Sequence, residues 1–326
     1  MLDAVFNHLG YFSPQWQDVV ANNENSKYKD WFYINKFPAV DKPLRELDGR
    51  DLNYETFGRT AMMPKINTEN PEVIEYLLKV AEYWSGEMNI DAWRLDVCNE
   101  VDHVFWRKFR EKVLSVNPDT YILGEVWHDG LPWLMGDQFD SVMNYQFRAA
   151  LQNYILSGNS ADFNNALEVI RENYPKEAWQ AMINLVDSHD TIRNITKMDN
   201  PTWEEENTKI APEASDNALK LQSLTAIFQM GYAGAPTIYY GDEVGVTGTK
   251  DPDSRRTFPW ERVLESNGDF SGVGRYAELF DVYKNAARVR NENLDLFATG
   301  EIQTAYANDN VIVYARKNLE KGALLV

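Results

Sequence analysis

Four short clusters hold the residues best equipped for chemistry: Asp3-Ala4-Val5-Phe6-Asn7-His8, Trp93-Arg94-Leu95-Asp96, Gly124-Glu125-Val126-Trp127-His128 and Asp187-Ser188-His189-Asp190. Each sets a carboxylate beside Arg, His or Asn. A single Asp at a strand end is more often a helix cap or an ion-pair partner. Four such clusters in succession argue for one shared centre. The inventory is what cleavage of a glycosidic bond needs. Two carboxylates flank the bond, one of them protonating the leaving oxygen, and fixed charge stabilises an oxocarbenium-like transition state. Arg94 and Asp96 stand two residues apart, so on a strand they share a face. Arg94 is therefore expected to hold Asp96 ionised and to lower its proton affinity.

Such clusters need strands to carry them. Residues 2–8, 90–97, 121–126, 139–144, 181–186 and 236–240 read as strands, short and apolar with polar residues at their C-terminal ends. Helices alternate with them. Asn70-Pro71-Glu72 offers an N-cap, a proline at the first helical position and an acid in the first turn, followed by Val73, Leu77, Val80 and Trp84 at helical spacing. Further helices are expected over 102–116, with Phe105, Phe109 and Val113 on one face, and over 146–157, 161–173, 214–232 and 273–291. Alternation predicts a parallel sheet. Chemistry gathered at the C-terminal strand ends predicts a (β/α)8 TIM barrel. The competing fold, an open doubly wound sheet, would place a glycine-rich phosphate loop after an early strand, and none is present.

Six strands are expected where a closed barrel has eight. The reading is thus an incomplete barrel of about six units, with its first two units and any preceding domain outside the sequence. Residues 1–297 form the partial barrel, including a long excursion at 9–69 after the first strand. Residues 298–326 begin an all-β domain with a hairpin over 301–316.

Composition narrows the class. A net charge of −18 repels a polyanion and argues against nucleic acid. No apolar run is long enough to span a membrane. The single cysteine, Cys98, rules out an internal disulfide and a cysteine metal site, and with no signal peptide evident it fits a cytoplasmic protein. Ten Trp and seventeen Tyr supply flat faces suited to sugar rings, though each is by default a core residue.

The four clusters, in this order and spacing, resemble the motif regions of the α-amylase family of glycoside hydrolases. The likeness extends over nearly the whole chain. It implies Asp96 as nucleophile, Glu125 as general acid/base and Asp190 as a third acid that binds the distorted sugar. It implies that His8, Arg94 and His189 line the same sugar subsite, and that Asp3 and Asn7 occupy structural positions of the first region. Met63-Pro64-Lys65-Ile66-Asn67, Asn99-Glu100-Val101-Asp102-His103 and Trp127-His128 resemble the neopullulanase, cyclomaltodextrinase and maltogenic amylase subfamily. By that likeness Trp127 and His128 line the leaving-group side, while Asp251 and Arg255, in Asp251-Pro252-Asp253-Ser254-Arg255-Arg256, reach the next sugar. A surface turn with local ion pairs is the plain alternative for that last loop.

The implied activity is retaining hydrolysis of α-1,4-glucosidic bonds in maltooligosaccharides, cyclomaltodextrins or pullulan, with some transfer. The alternatives are an α-1,6-acting oligosaccharidase, a truncated inactive fragment, or a non-catalytic carbohydrate-binding relative. No cofactor is required by the chemistry. The likeness admits a calcium ion at Asn7 and a homodimer for the full-length enzyme. Asp187 departs from the subfamily pattern, where a Leu-Gly pair is usual before the Ser-His-Asp run.

Overall fold

The computed structural model describes residues 1–205 and 207–326. It divides into two compact units, Met1–Val142 and Met143–Val326.

The first unit is built on four parallel strands: β1 (Leu2–Ala4), β2 (Ala92–Leu95), β3 (Tyr121–Gly124) and β4 (Ser141–Val142), hydrogen-bonded in that order. Its helices are α1 (Pro14–Asn22), α2 (Pro71–Glu82) and α3 (His103–Val116). Register places Asp3 opposite Arg94, and Arg94 opposite Leu123. Every residue of β2 is buried. Its apolar side joins an aromatic core in which Phe6, Trp93, Phe105 and Phe109 meet mostly edge to face, the arrangement that ring quadrupoles favour.

The helices start where the sequence predicts. Asn70 caps α2 by accepting from Glu72 N–H at 2.8 Å, and Val73, Leu77 and Ala81 form the buried stripe. Val80 and Trp84 are half-buried, because the helix widens into a π-turn at Tyr83–Glu87. Asp102 caps α3 through the N–H groups of Val104 and Phe105. The 9–69 excursion has a core of its own. Trp16 is fully buried against Phe32 and Tyr54, and isolated bridges such as Phe32 to Ile66 and Thr56 to Pro64 fold the segment back on itself.

The second unit contains α4 (Tyr145–Ser157), α5 (Ser160–Asn173), α6 (Lys176–Ala181), β5 (Ile183–Leu185), α7 (Asn194–Asp199), α8 (Asp216–Gly231) and β6 (Ala235–Thr237). A hairpin of β7 (Val263–Ser266) and β8 (Asp269–Gly272) follows, then α9 (Ala277–Glu292) and α10 (Leu294–Thr299). Strands β9 (Glu301–Asn308), β10 (Val311–Lys317) and β11 (Gly322–Leu325) make an antiparallel sheet. β5 and β6 pair in parallel. The Gln229 carboxamide ties α8 to both, donating to the carbonyls of Asn184 and Thr237.

All six expected parallel strands are present, several of them trimmed. The fifth begins at Ile183 rather than 181, because Lys176–Ala181 winds into a helix ahead of it. The last long helix begins at Ala277, not 273, because Gly274 sits at φ +60° and turns the chain first. The hairpin at 263–272 was not foreseen, although Asn267-Gly268, both at positive φ, is the favoured pair for a two-residue turn. No helix of the described residues is long and apolar enough to cross a membrane.

Candidate active site

In the first unit the chemistry is organised around one guanidinium. Arg94 leaves the middle of β2, flanked by β1 and β3, and meets three carboxylates. Its Nη1 lies 2.9 Å from Asp3 Oδ1 and 2.5 Å from Asp96 Oδ1, and its Nη2 lies 2.9 Å from Glu125 Oε2. The strand ladder continues past the strand ends to fix both acids: Asp96 N–H donates to Ala4 C=O, and Glu125 N–H to Leu95 C=O. Asp96 and Glu125 therefore extend from adjacent strands onto the two arms of one rigid fork.

Burial pulls Arg94 towards deprotonation, but Glu125, Asp3 and Asp96 outweigh it and keep the cation charged. The expectation that Arg94 lowers the proton affinity of Asp96 needs correction. Burial is the largest influence and raises it. Arg94 opposes by charge and hydrogen bond, Glu125 and Asp3 add to burial, and the carboxyl ends above its ordinary value.

Glu125 is buried, with 5% of its surface exposed. Its Oε2 forms an ion pair with Arg94 and accepts from Val97 N–H at 3.0 Å, and its Oε1 accepts from the Trp127 indole at 3.1 Å. Trp127 itself is 43% exposed. His128 is exposed beside it, with Nδ1 3.1 Å from the Asp129 carbonyl. Gly124 precedes Glu125 because a Cβ there would strike the Phe139 ring and the Cys98 sulfur. The Cys98 thiol is buried and donates to the Glu125 carbonyl at 3.1 Å.

His8 is buried and lies flat on Phe57, with ring centroids 5.1 Å apart. Burial lowers its pKa; Glu100 opposes and Lys65 adds to the lowering. Next to it, Asn7 Nδ2 donates to Glu100 Oε2 at 3.4 Å, and the Lys65 ammonium lies 2.8 Å from the same oxygen. Asn7 Oδ1 is buried and meets no donor, while Glu100, the carboxylate that Asn7 Nδ2 reaches, is engaged by the Lys65 ammonium. No group of three or more His, Cys, Asp and Glu suited to a metal occurs among the described residues.

In the second unit, His189 and Asp190 follow β5. His189 Nε2 lies 2.8 Å from Asp190 Oδ2. Arg255 joins them from the later loop, with Nη2 3.3 Å from Asp190 Oδ1 and Nε 2.9 Å from Asp251 Oδ1. The structure thus brings Asp251 and Arg255 to Asp190, as a chain of side chains rather than an isolated turn.

Beneath this chain lies a group that the sequence reading did not assemble. Arg193 is fully buried under the Tyr239 ring and bonds to the carbonyls of Tyr240 and Ser254 and to Asp242. Asp187 accepts from Asn194 N–H at 2.6 Å. Asp187 Oδ1 and Asp242 Oδ2 are both buried and meet no donor, and the Asp187 charge adds to burial in holding Asp242 well above the ordinary carboxyl range. The sequence flagged Asp187 as unusual, but only folding shows its partner.

Parallel strands that deliver paired carboxylates onto an arginine at their C-terminal ends define the acid centre of a (β/α)8 barrel. The chain belongs to the α-amylase family: residues 1–300 match the α-amylase catalytic domain. It is 44% identical over 318 residues to neopullulanase 2 of Thermoactinomyces vulgaris, covering 97% of this chain and 48% of that protein. It is 39% identical over 328 residues to the intracellular maltogenic amylase of Bacillus subtilis (strain 168), covering 100% of this chain and 50% of that one. Among solved structures it superposes on a cyclomaltodextrinase with a TM-score of 0.83 at 40% identity, over 99% of this chain and 50% of the other. The chain spans about half the length of the curated relatives it matches. Its six parallel strands and its C-terminal antiparallel sheet make it a partial (β/α)8 barrel with a β-sheet region after it.

Proposed function

We propose that this protein is a retaining glycoside hydrolase that cleaves α-1,4-glucosidic bonds in maltooligosaccharides, cyclomaltodextrins or pullulan. The observation that carries the reading is the shared fork: Asp96 and Glu125, on adjacent strands, both held by Arg94. A retaining mechanism needs two carboxyls close enough to act on opposite sides of one glycosidic bond. Asp96 attacks the anomeric carbon as Glu125 protonates the departing oxygen. Water, deprotonated by Glu125, then releases the sugar from Asp96. Asp190 is the third acid by its position in the family motif. Support for the substrate class comes from relatives named neopullulanase, cyclomaltodextrinase and maltogenic amylase. The chemistry takes no metal step. A cytoplasmic location is supported by the relative named as intracellular. A homodimer rests on family likeness and is read by sedimentation.

The test is a pair of substitutions assayed on maltotriose and on α-glucosyl fluoride. Asp96→Asn should abolish turnover of both, because an amide cannot form the glycosyl intermediate. Glu125→Gln should lose maltotriose cleavage but retain a large part of fluoride release, because fluoride leaves without a proton. Rescue of Asp96→Asn by the fluoride, with none for Glu125→Gln, would reverse the two roles.

A further inference from the structure

Directly after Asp96 the backbone enters a conformation that Val resists. Val97 has φ 46° and ψ 37°, in the left-handed region. A β-branched residue there is a genuine outlier and stores backbone strain. The side chain gains no exposure from it, being 9% exposed. What the turn delivers is the Val97 N–H, which lies 3.0 Å from Glu125 Oε2. The same oxygen takes Arg94 Nη2 at 2.9 Å. The other oxygen, Oε1, accepts from the half-exposed indole of Trp127.

We propose that the Val97 amide is a positioning group that divides the two oxygens of Glu125: Oε2 is held as a permanent acceptor by Val97 N–H beside the Arg94 charge, and Oε1 carries the proton passed to the leaving group. This rests on Glu125 being the general acid/base. In the glycosylation step the Oε1–H bond breaks and the proton goes to the glycosidic oxygen. The bond from that oxygen to the anomeric carbon breaks, with its electron pair going to the oxygen. Asp96 forms the new bond to carbon. Glu125 is left as a carboxylate whose charge falls partly on Oε2, where the Val97 N–H and the Arg94 charge already lie. Such preorganised donors act at the moment charge develops. The left-handed turn is the means: it aims the N–H of the residue after the nucleophile at the acid on the neighbouring strand.

The test replaces the 97 amide by an ester, incorporating α-hydroxyvaline so that the side chain stays and the N–H goes. Hydrogen bonds to charged groups set the scale. Maltotriose kcat/KM should fall by about ten- to a hundredfold, while α-glucosyl fluoride release changes little. The basic limb of the maltotriose pH profile should move upward. Val97→Gly, which keeps the amide but frees φ, should lose less than the ester does. An unmoved basic limb, or equal losses on both substrates, would overturn the role of Val97. Glu125→Gln run alongside separates the two ideas: if it cleaves maltotriose at the parental rate, the acid/base reading itself has failed. If it behaves as an acid/base variant while the ester matches the parent, only the inference about Val97 falls.

Discussion

Arg94 is the residue on which the first-unit acids depend, and its effect on Asp96 is a balance rather than a simple lowering. Burial wins, so the carboxyl of Asp96 stays protonated to a higher pH than an ordinary aspartate. A nucleophile must be ionised, so activity should fall as pH drops through that raised value. The acidic limb of kcat/KM should therefore lie higher than an ordinary aspartate would set it. Arg94→Lys substitutes a point charge for a planar fork that serves three carboxylates. It should push the limb further up and reduce kcat, as a pH–rate profile would show; an unmoved limb would remove Arg94 from this role. Cys98 gives a second residue-level expectation. Its thiol is fully buried, and burial, reinforced by Glu125, pushes its pKa up. Thiolate is the reactive form, so labelling by an aromatic disulfide should be slow in the native protein and become fast only with unfolding. Fast native labelling would mean that the packing around Glu125 opens.

Among the elements, α3 is the one that most directly supports the strand ends. Phe105, Trp106, Phe109 and Val113 fill the space beneath β2, and Trp106 donates to the Cys98 carbonyl at 2.8 Å, bracing the turn that carries Val97. Asp102 starts this helix by accepting from two N–H groups. Asp102→Ala should cost about 1 kcal/mol of stability, the typical price of a lost cap, read as a lowered urea midpoint with an unchanged slope. Helices of this kind were legible in the sequence, because an N-cap and a repeating apolar face are local signals. The short helices α6 and α7 were not, since six residues cannot show a periodicity. The ends of β5 and α9 moved for local reasons that propensity alone does not rank: a preceding helical turn in one case and a glycine at positive φ in the other.

For the molecule's stability the telling feature is the buried acid pair of the second unit. Asp242 is pushed well above the ordinary carboxyl range by burial and then by Asp187, with Arg193 opposing; Asp187 is raised by burial, with Arg193 and the Asn194 N–H opposing. Arg148, Glu243, Tyr239 and Tyr283 are the other titratable groups acting within this network. The sign follows from linkage. A carboxyl whose folded pKa is raised contributes stability that is full below its unfolded pKa and lost as pH rises through the folded one. The denaturation midpoint of this unit should fall as pH rises above the ordinary carboxyl range. Asp242→Asn removes the carboxyl that burial and Asp187 raise, and should flatten that slope. A variant with the parental slope would show that Asp242 does not set this dependence.

What the sequence determined by itself was the alternation of strands and helices, the positions of the acids at strand ends, and the family to which their order belongs. These are local or collinear properties: an apolar run, a cap, a motif in its place along the chain. The tertiary structure decided which groups meet. Asp3 and Arg94 are 91 residues apart, and only strand register puts them face to face. Asp187 and Asp242 pair because two loops are buried against one arginine. The net proton affinity of Asp96 is a sum over burial and neighbours from three strands. No spacing along the chain encodes that sum, because desolvation depends on everything packed around the group rather than on the residues beside it in sequence.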